Sequence, residues 1–448
     1  VSSILDRRRA GALLHLTCLD AALGRGGRAF IDWLAEAGFS VWQFLPLGPS
    51  ADGSPYRARS DSAGNPALLD PDERPPLGTP EFETFRRSAR GWLEDYACFE
   101  ALSRLHGGAP WWTWPPEHRD RDPRALAEVR LAQAERIREI EAEQFAFDWQ
   151  WRRLREHARA RGVLLFGDLP FYVAPDSVET WAHRGQFQVD AEGRARAIAG
   201  VPPDYFSELG QLWGNPLYDW DAMRADGFSF WRERLRRQLN RVDLLRIDHF
   251  RALAAHWAVP AGAPDARTGA WRRTPGWALL RTLREELGQL PLIAEDLGLI
   301  TPDVEDLRRG FGLPGMRVLQ FGFDGSPDNP HLPHMHERGI VVYTGTHDND
   351  TALGWYSSLD AGTARRVDFY LRCGPADMPD AFVRAALASV GALAVLPVQD
   401  ILALGSEARF NTPSTPEGNW SWRLPPGSLT PELAGRYRRL NEAYGRVA

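Results

Sequence analysis

Eight short runs of apolar residues punctuate the chain, and most lead into a polar cluster and then a stretch of helical periodicity. In order they are GALLHLT (11–17), VWQFLPLG (41–48), VLLFGDLP (163–170), LLRIDHF (244–250), LPLIAEDLG (290–298), MRVLQFGF (316–323), IVVYTGTHD (340–348) and LAVLPVQD (393–400). Runs apolar at successive rather than alternate positions are expected of strands covered on both faces, as in a parallel sheet. Between them lie helical patterns such as RAFIDWLAEAGF (28–39) and GWALLRTLREELGQL (276–290). Eight strands alternating with helices predict an α/β fold of the TIM (β/α)8 barrel class.

The gaps between runs are unequal. A long helical segment, 124–162, separates the second and third runs, and the Gly/Pro-rich GVPPDYFSELGQLWGNPLYDW (200–220) separates the third and fourth. The reading is one catalytic barrel over 1–448 with insertions after strands 2 and 3: a largely helical one at 71–162 and another at 171–240. There is no internal repeat and no low-complexity tract.

Several of these runs close on acidic residues. Asp168 ends the third, Asp248 the fourth, Glu295 the fifth, and His347 with Asp348 the seventh. A single acid after a strand is often the cap of the next helix. Four strands doing so deliver acids to the face of a barrel where loops converge and chemistry takes place. Arg246, two residues before Asp248, shares its strand face and is placed to hold that carboxylate ionised.

Composition narrows the chemistry. The 448 residues are 44% hydrophobic and 25% charged, which suits a large core. A net charge of −6 argues against a nucleic-acid binder. Lysine is absent, which excludes P-loop, Schiff-base and pyridoxal-phosphate chemistry. Cys18, Cys98 and Cys373 have no CxxC spacing and suggest a reducing cytoplasm rather than disulfides or thiolate metal ligands. No run approaches the ~20 apolar residues of a membrane span, and His15 and Asp20 interrupt the N-terminal apolar stretch that would otherwise suggest a leader. The 18 tryptophans suit either a sugar partner or a tryptophan-rich core.

Several carboxylates in one cleft, without lysine, serine elbow or reactive thiol, suit glycoside chemistry. That reaction needs one ionised carboxylate at the anomeric carbon and one protonated acid at the leaving oxygen. Asp248 beside Arg246 fits the nucleophile, and Glu295 in its apolar setting fits the acid, its pKa raised by desolvation. Asp296 is the alternative acid, but alternation points it away from Glu295's side. THDND (346–350) offers oxygen and imidazole ligands to a metal, yet no HExxH or His-x-His spacing accompanies it. No metal and no cofactor is expected. By alternation alone His249 lies on the opposite strand face from the nucleophile and is expected to be structural, and Asn419 and Trp420 are read as scaffold.

An ordered set of motifs carries a further signal. WLAEAGFSVWQFLPLGP, SPY followed by AGNP, WLEDYACFEAL, GDLPFYVAPDSVETWA, AGVPPDYFSELGQLWGNPLYDW, RIDHFRAL, IAEDLG, PGMRVLQFGF, YTGTHDNDT, LPVQDILALGSEARFN and GNWSWR run almost end to end. Together they resemble the 4-α-glucanotransferases, also called amylomaltases or disproportionating enzymes, of the α-amylase-like barrel group. The resemblance implies Asp248 as nucleophile, Glu295 as acid/base and Asp348 as a third carboxylate that steadies a distorted sugar. It further implies that Ser54, Tyr56, Asp168, Arg246, Asp324, His347 and Asn411 hold substrate, and that a loop with Tyr205, Phe206 and Trp213 lies beside the acceptor. The substrates implied are malto-oligosaccharides or other α-1,4-glucans. The chain departs from the family in a shorter segment between AGNP and WLEDYA, in Arg57 where glutamine is usual, and in Arg273 where lysine is common. Two other readings stay open at this level: an α-1,4-glucan hydrolase, and a non-catalytic glucan-binding protein.

Overall fold

The computed structural model describes residues 2–203, 207–415 and 417–447. Each of the eight apolar runs contains or abuts a strand: β1 Arg9–Leu13, β2 Val41–Gln43, β3 Leu164–Leu169, β4 Leu244–Ile247, β5 Leu292–Ala294, β6 Gly315–Val318, β7 Ile340–Tyr343 and β8 Leu393–Pro397. They form one sheet in the order β6-β7-β8-β1-β2-β3-β4-β5, every paired neighbour parallel. Closure is local, by the Ala294 N–H donating to the Pro314 carbonyl across the β5–β6 seam at 2.8 Å. β2, β4, β5, β7 and β8 are buried at every position, which is why they read as largely apolar runs, with Gln43 on β2 and Arg246 on β4 the exceptions. Gly11 answers a tight approach: a Cβ there would lie 3.0 Å from that of Val41 on β2.

Helices cover the outside. Arg25–Glu36 buries Phe30, Ile31, Trp33 and Leu34, with the Phe30 ring edge-on to Trp42 of β2 at 5.0 Å. Gly276–Leu287 buries Leu279, Leu280 and Leu283 in the same manner. Trp42, Trp111, Trp181 and Trp231 are all fully buried, so core filling accounts for these tryptophans.

Between β2 and β3 lie the helices Pro80–Leu105, Pro116–Arg119, Pro123–Ala132 and Ala134–Ala160. The first begins where Thr79 accepts the Phe82 N–H, with Pro80 at the first helical position and Glu81 and Glu83 beside the dipole. The helical stretch 124–162 is broken at Gln133 into two helices. This insertion shares a core with the segment after β3, in which Phe99 packs on Trp114 at 5.5 Å and on Trp181 at 5.7 Å. It also fixes the loop after β2. Gln144 exchanges two hydrogen bonds with the Gly64 backbone (2.8 and 2.9 Å), and Gly64 is obligatory because a Cβ would meet the Phe147 ring at 2.2 Å.

The segment between β3 and β4 contributes the strands Ala197–Val201 and Gln211–Pro216. They pair with Ala255–Pro260 and Ala270–Arg273, which follow β4, in a four-stranded antiparallel sheet ordered 211–216, 197–201, 255–260, 270–273. A third excursion, after β4, therefore joins the two read from the sequence. No helix among the described residues is long and apolar enough to cross a membrane.

Candidate active site

The carboxylates gather at the C-terminal ends of β3, β4 and β5. Asp168 on β3 lies in register with Arg246 on β4, and Arg246 with Ile293 on β5. Arg246 is buried and bridges two acids, Nη1 to Asp168 Oδ2 at 2.6 Å and Nη2 to Asp248 Oδ1 at 2.7 Å. Burial lowers the affinity of a guanidinium for its proton, but here Asp168 and then Asp248 outweigh it and push the pKa well up. Arg246 is thus a fixed cation between two carboxylates.

β4 ends at Ile247 and the chain turns sharply through His249, whose φ of 50° is left-handed and costs free energy for a residue with a Cβ. The turn points the His249 backbone N–H at Glu295, where it donates to Oε2 at 2.7 Å; the Leu297 N–H donates to Oε1 at 2.9 Å. The Glu295 N–H itself donates to the Ile247 carbonyl at 3.1 Å, fixing the start of the loop after β5. Glu295 is therefore held through the residue next to Asp248. Its carboxyl is pushed up to about 8 chiefly by burial, against Arg246 and the two N–H donors and with the charge of Asp248 adding to the rise. Burial also raises Asp248, against Arg246 and with help from Asp168 and Asp348, to about 6. Both acids are raised chiefly by burial, and Glu295, which lacks the direct cation contact of Asp248, stands the higher.

A second group closes the mouth from the other side. The short helix Pro55–Arg57, preceded by Ser54, presents Tyr56, whose hydroxyl donates to Asp168 Oδ2 at 2.6 Å. His347 Nε2 lies 2.9 Å from the Tyr56 oxygen and 3.3 Å from Asp348 Oδ1. With the tyrosine proton committed to Asp168, the network assigns the imidazole proton to Nε2. Burial lowers the His347 pKa, so the ring is neutral at neutral pH. Asp348 accepts from Asn411 Nδ2 at 2.6 Å, and its carbonyl from Arg409 Nη2 at 2.7 Å. Asp168 keeps its other oxygen, Oδ1, buried and without a partner among the described residues.

Asp168, Arg246, Asp248, Glu295, Tyr56, His347, Asp348 and Asn411 are thus joined into one constellation by contacts of side chain and backbone. The link from Asp248 to Glu295 runs through the His249 backbone. Ser54 donates its N–H to Asp52 and serves the turn that carries Tyr56. Trp213 sits on the strand Gln211–Pro216 and meets the His249 ring edge-on at 4.7 Å. Asp324 lies in an exposed turn where it accepts the Ser326 N–H, outside these contacts. Tyr205 and Phe206 lie outside the described residues. Asp296 is occupied elsewhere, accepting the Met316 N–H at 2.6 Å and pairing with Arg308 and Arg317 at 3.3 Å. Among the described residues no group of three or more His, Cys, Asp and Glu side chains is arranged to hold a metal ion.

Three contributors were not read as part of the site from the sequence: His249 was expected to be structural, Trp420 to be scaffold, and Arg409 was not named. Arg409 holds the Asp348 backbone, the His249 N–H holds Glu295, and Trp420 packs on Tyr56 at 6.0 Å and His347 at 6.2 Å. All three lie in motifs of the ordered set, Arg409 in LPVQDILALGSEARFN, His249 in RIDHFRAL and Trp420 in GNWSWR, but nothing in those motifs marked the contacts they make.

Comparison with known proteins gives a consistent answer. A family model described as 4-alpha-glucanotransferase matches residues 14–80 and 74–430, the two matches overlapping at 74–80, where the helix Pro80–Leu105 begins. The chain is 45% identical over 497 aligned positions to a 4-alpha-glucanotransferase of Thermus thermophilus, covering 98% of this chain and 99% of that protein. It is 41% identical over 497 positions to a chloroplastic/amyloplastic 4-alpha-glucanotransferase of Arabidopsis thaliana, covering 99% and 86%. Its fold superposes on an amylomaltase of Streptococcus agalactiae solved in complex with acarbose, with a TM-score of 0.94, 32% identity and coverage of 99% and 100%. A barrel with its acids at the mouth and these relatives over its whole length belongs to the glycoside hydrolase 77 family of 4-alpha-glucanotransferases.

Proposed function

We infer that this protein is a 4-α-glucanotransferase that moves a segment of an α-1,4-glucan to the 4-hydroxyl of an acceptor glucan or glucose by a retaining double displacement. The observation that carries the mechanism is the pair at the ends of the neighbouring strands β4 and β5: Asp248 bonded to Arg246, and Glu295 raised to about 8 and held by backbone donors. At neutral pH such a pair supplies one ionised carboxylate and one proton.

In the first step an Asp248 oxygen bonds to the anomeric carbon as the glucosidic C–O bond breaks, and Glu295 gives its proton to the departing 4-oxygen. In the second, Glu295 as carboxylate takes the proton of an acceptor hydroxyl, whose oxygen displaces Asp248 and restores the original configuration. Arg246 balances charge on Asp248 in both steps. Asp168, with one oxygen unpartnered, and Asp348, held by Asn411, are the acceptors proposed for sugar hydroxyls, with Tyr56 and His347 fixing both. Trp213 beside His249 is proposed to cover the acceptor side. The three unpaired cysteines suit a reducing compartment, so we place the enzyme in the cytoplasm.

Transfer and hydrolysis share the glycosyl-enzyme and differ in the second nucleophile. Incubation with maltotriose separates them. Transfer yields glucose together with a ladder of longer oligosaccharides; products that are only shorter would make the protein a hydrolase.

A further inference from the structure

Three residues beyond Asp248, Arg251 is buried with no carboxylate in ion-pair contact among the described residues, Asp303 acting on it only at longer range. Its Nη1 donates to the Leu299 carbonyl at 3.0 Å, so it ties the loop after β4 to the loop after β5, four residues beyond Glu295. Its Nε is buried and unpartnered among the described residues. The guanidinium lies 3.8 Å from the centroid of the Trp271 ring. Trp271 meets Trp257 edge-on at 5.2 Å, and the Trp257 indole N–H is committed to the Ala266 carbonyl at 2.9 Å. A tryptophan so wedged has little rotational freedom, yet it is 37% exposed on a strand whose four residues are all exposed. Leu299, 61% exposed, is bonded to the same arginine.

A rigid indole with a cation on one face and its remaining surface open is suited to stacking on the C–H-rich face of a sugar. The platform is tied to the active site through Arg251, which stands three residues beyond Asp248, holds the loop that follows Glu295 and stacks on Trp271. We propose that Trp271, braced by Arg251, is a binding platform for the distal sugars of a long α-1,4-glucan whose reacting end lies between Asp248 and Glu295. This rests on the functional reading above and adds to it a determinant of substrate length. A chain of a few sugars would react without reaching the platform; a polymer would be held at both places.

The test compares wild type, Trp271→Ala and Trp271→Phe, each shown folded by circular dichroism, on maltotriose and on amylose. Trp271→Ala is expected to raise KM for amylose about fivefold or more, the usual effect of truncating a tryptophan anchor. Its kcat/KM for maltotriose should stay within about twofold of wild type, and Trp271→Phe should recover most of the amylose affinity. An unchanged amylose KM, or an equal loss on maltotriose, would overturn the proposal. Retardation in amylose-containing native gels, with Glu295→Gln alone and with Trp271→Ala added, reads the platform without turnover. A wild type that transfers nothing would refute the functional reading, while weaker retardation of the double variant would still support the platform.

Discussion

Replacing Arg246 with methionine removes the cation between Asp168 and Asp248 while keeping an apolar stem in the buried space. Asp248 lies 2.7 Å from one guanidinium nitrogen, and that attraction opposes the burial that raises its carboxyl to about 6. Two unit charges about 4 Å apart interact by roughly 4 kcal/mol at an effective dielectric near 20. One pKa unit corresponds to about 1.36 kcal/mol, so complete loss amounts to roughly 3 units. Water entering the space offsets much of this, and a rise of at least about 1 unit is expected. Attack requires the ionised carboxylate, so a higher Asp248 pKa moves the acid limb of kcat/KM upward, from about 6 toward about 7. Arg246 also lowers Glu295, so the basic limb near 8 drifts the same way, but less, because the arginine bonds Asp248 directly. Arg246→Lys keeps a charge but cannot fork between two acids, so its acid limb should stay near that of wild type while kcat falls. The assay is kcat/KM for maltotriose across the pH range in which each variant remains folded. A folded Arg246→Met enzyme with an unshifted acid limb would refute the reasoning.

Other outcomes follow from the same contacts. Glu295→Gln should lower kcat by about 10²- to 10⁴-fold and abolish the descending limb near pH 8, since an amide does not titrate, while oligosaccharide binding by calorimetry stays nearly unchanged. Asn411→Ala removes the 2.6 Å donor to Asp348 and should cost about 10- to 100-fold in kcat/KM with little change in melting temperature. Arg446 is fully buried and donates to the carbonyls of Leu387 (2.6 Å), Arg9 (2.7 Å) and Ser389 (2.8 Å); burial, with Arg8 nearby, pushes its pKa down to about 9. Arg446→Ala removes these bonds and empties the buried space, while Arg8 still donates to the Leu387 and Ser389 carbonyls; it should cost about 2 kcal/mol or more in urea unfolding, with the pH profile of the surviving activity unchanged.

How much of this was legible in the sequence depends on what each interaction uses. The eight barrel strands could be read because nearly complete burial leaves a mostly apolar run, and Asp168, Asp248 and Glu295 stood out as charges at the ends of such runs. The pairing of Arg246 with Asp248 followed from strand alternation. The antiparallel sheet escaped notice because its strands come from both sides of β4 and one, Ala270–Arg273, is wholly exposed and so has no apolar pattern. His249 shows a deeper limit. Alternation assigned its side chain to the far face, whereas its part in the site is a backbone N–H aimed at Glu295 by a left-handed turn. Side-chain patterns carry no record of such a turn. Arg409 is similar, since it holds Asp348 through a carbonyl across 61 residues of sequence.

The claim on which the account turns is that Asp248 bonds covalently to the sugar while Glu295 moves the proton. Mass spectrometry of the Glu295→Gln enzyme after reaction with an α-glucosyl fluoride, whose leaving group needs no proton, tests it most directly. The account predicts a peptide containing Asp248 that is heavier by the transferred glycosyl group, together with fluoride release. Fluoride release with the adduct on another residue, or with inverted product and no adduct, would contradict it.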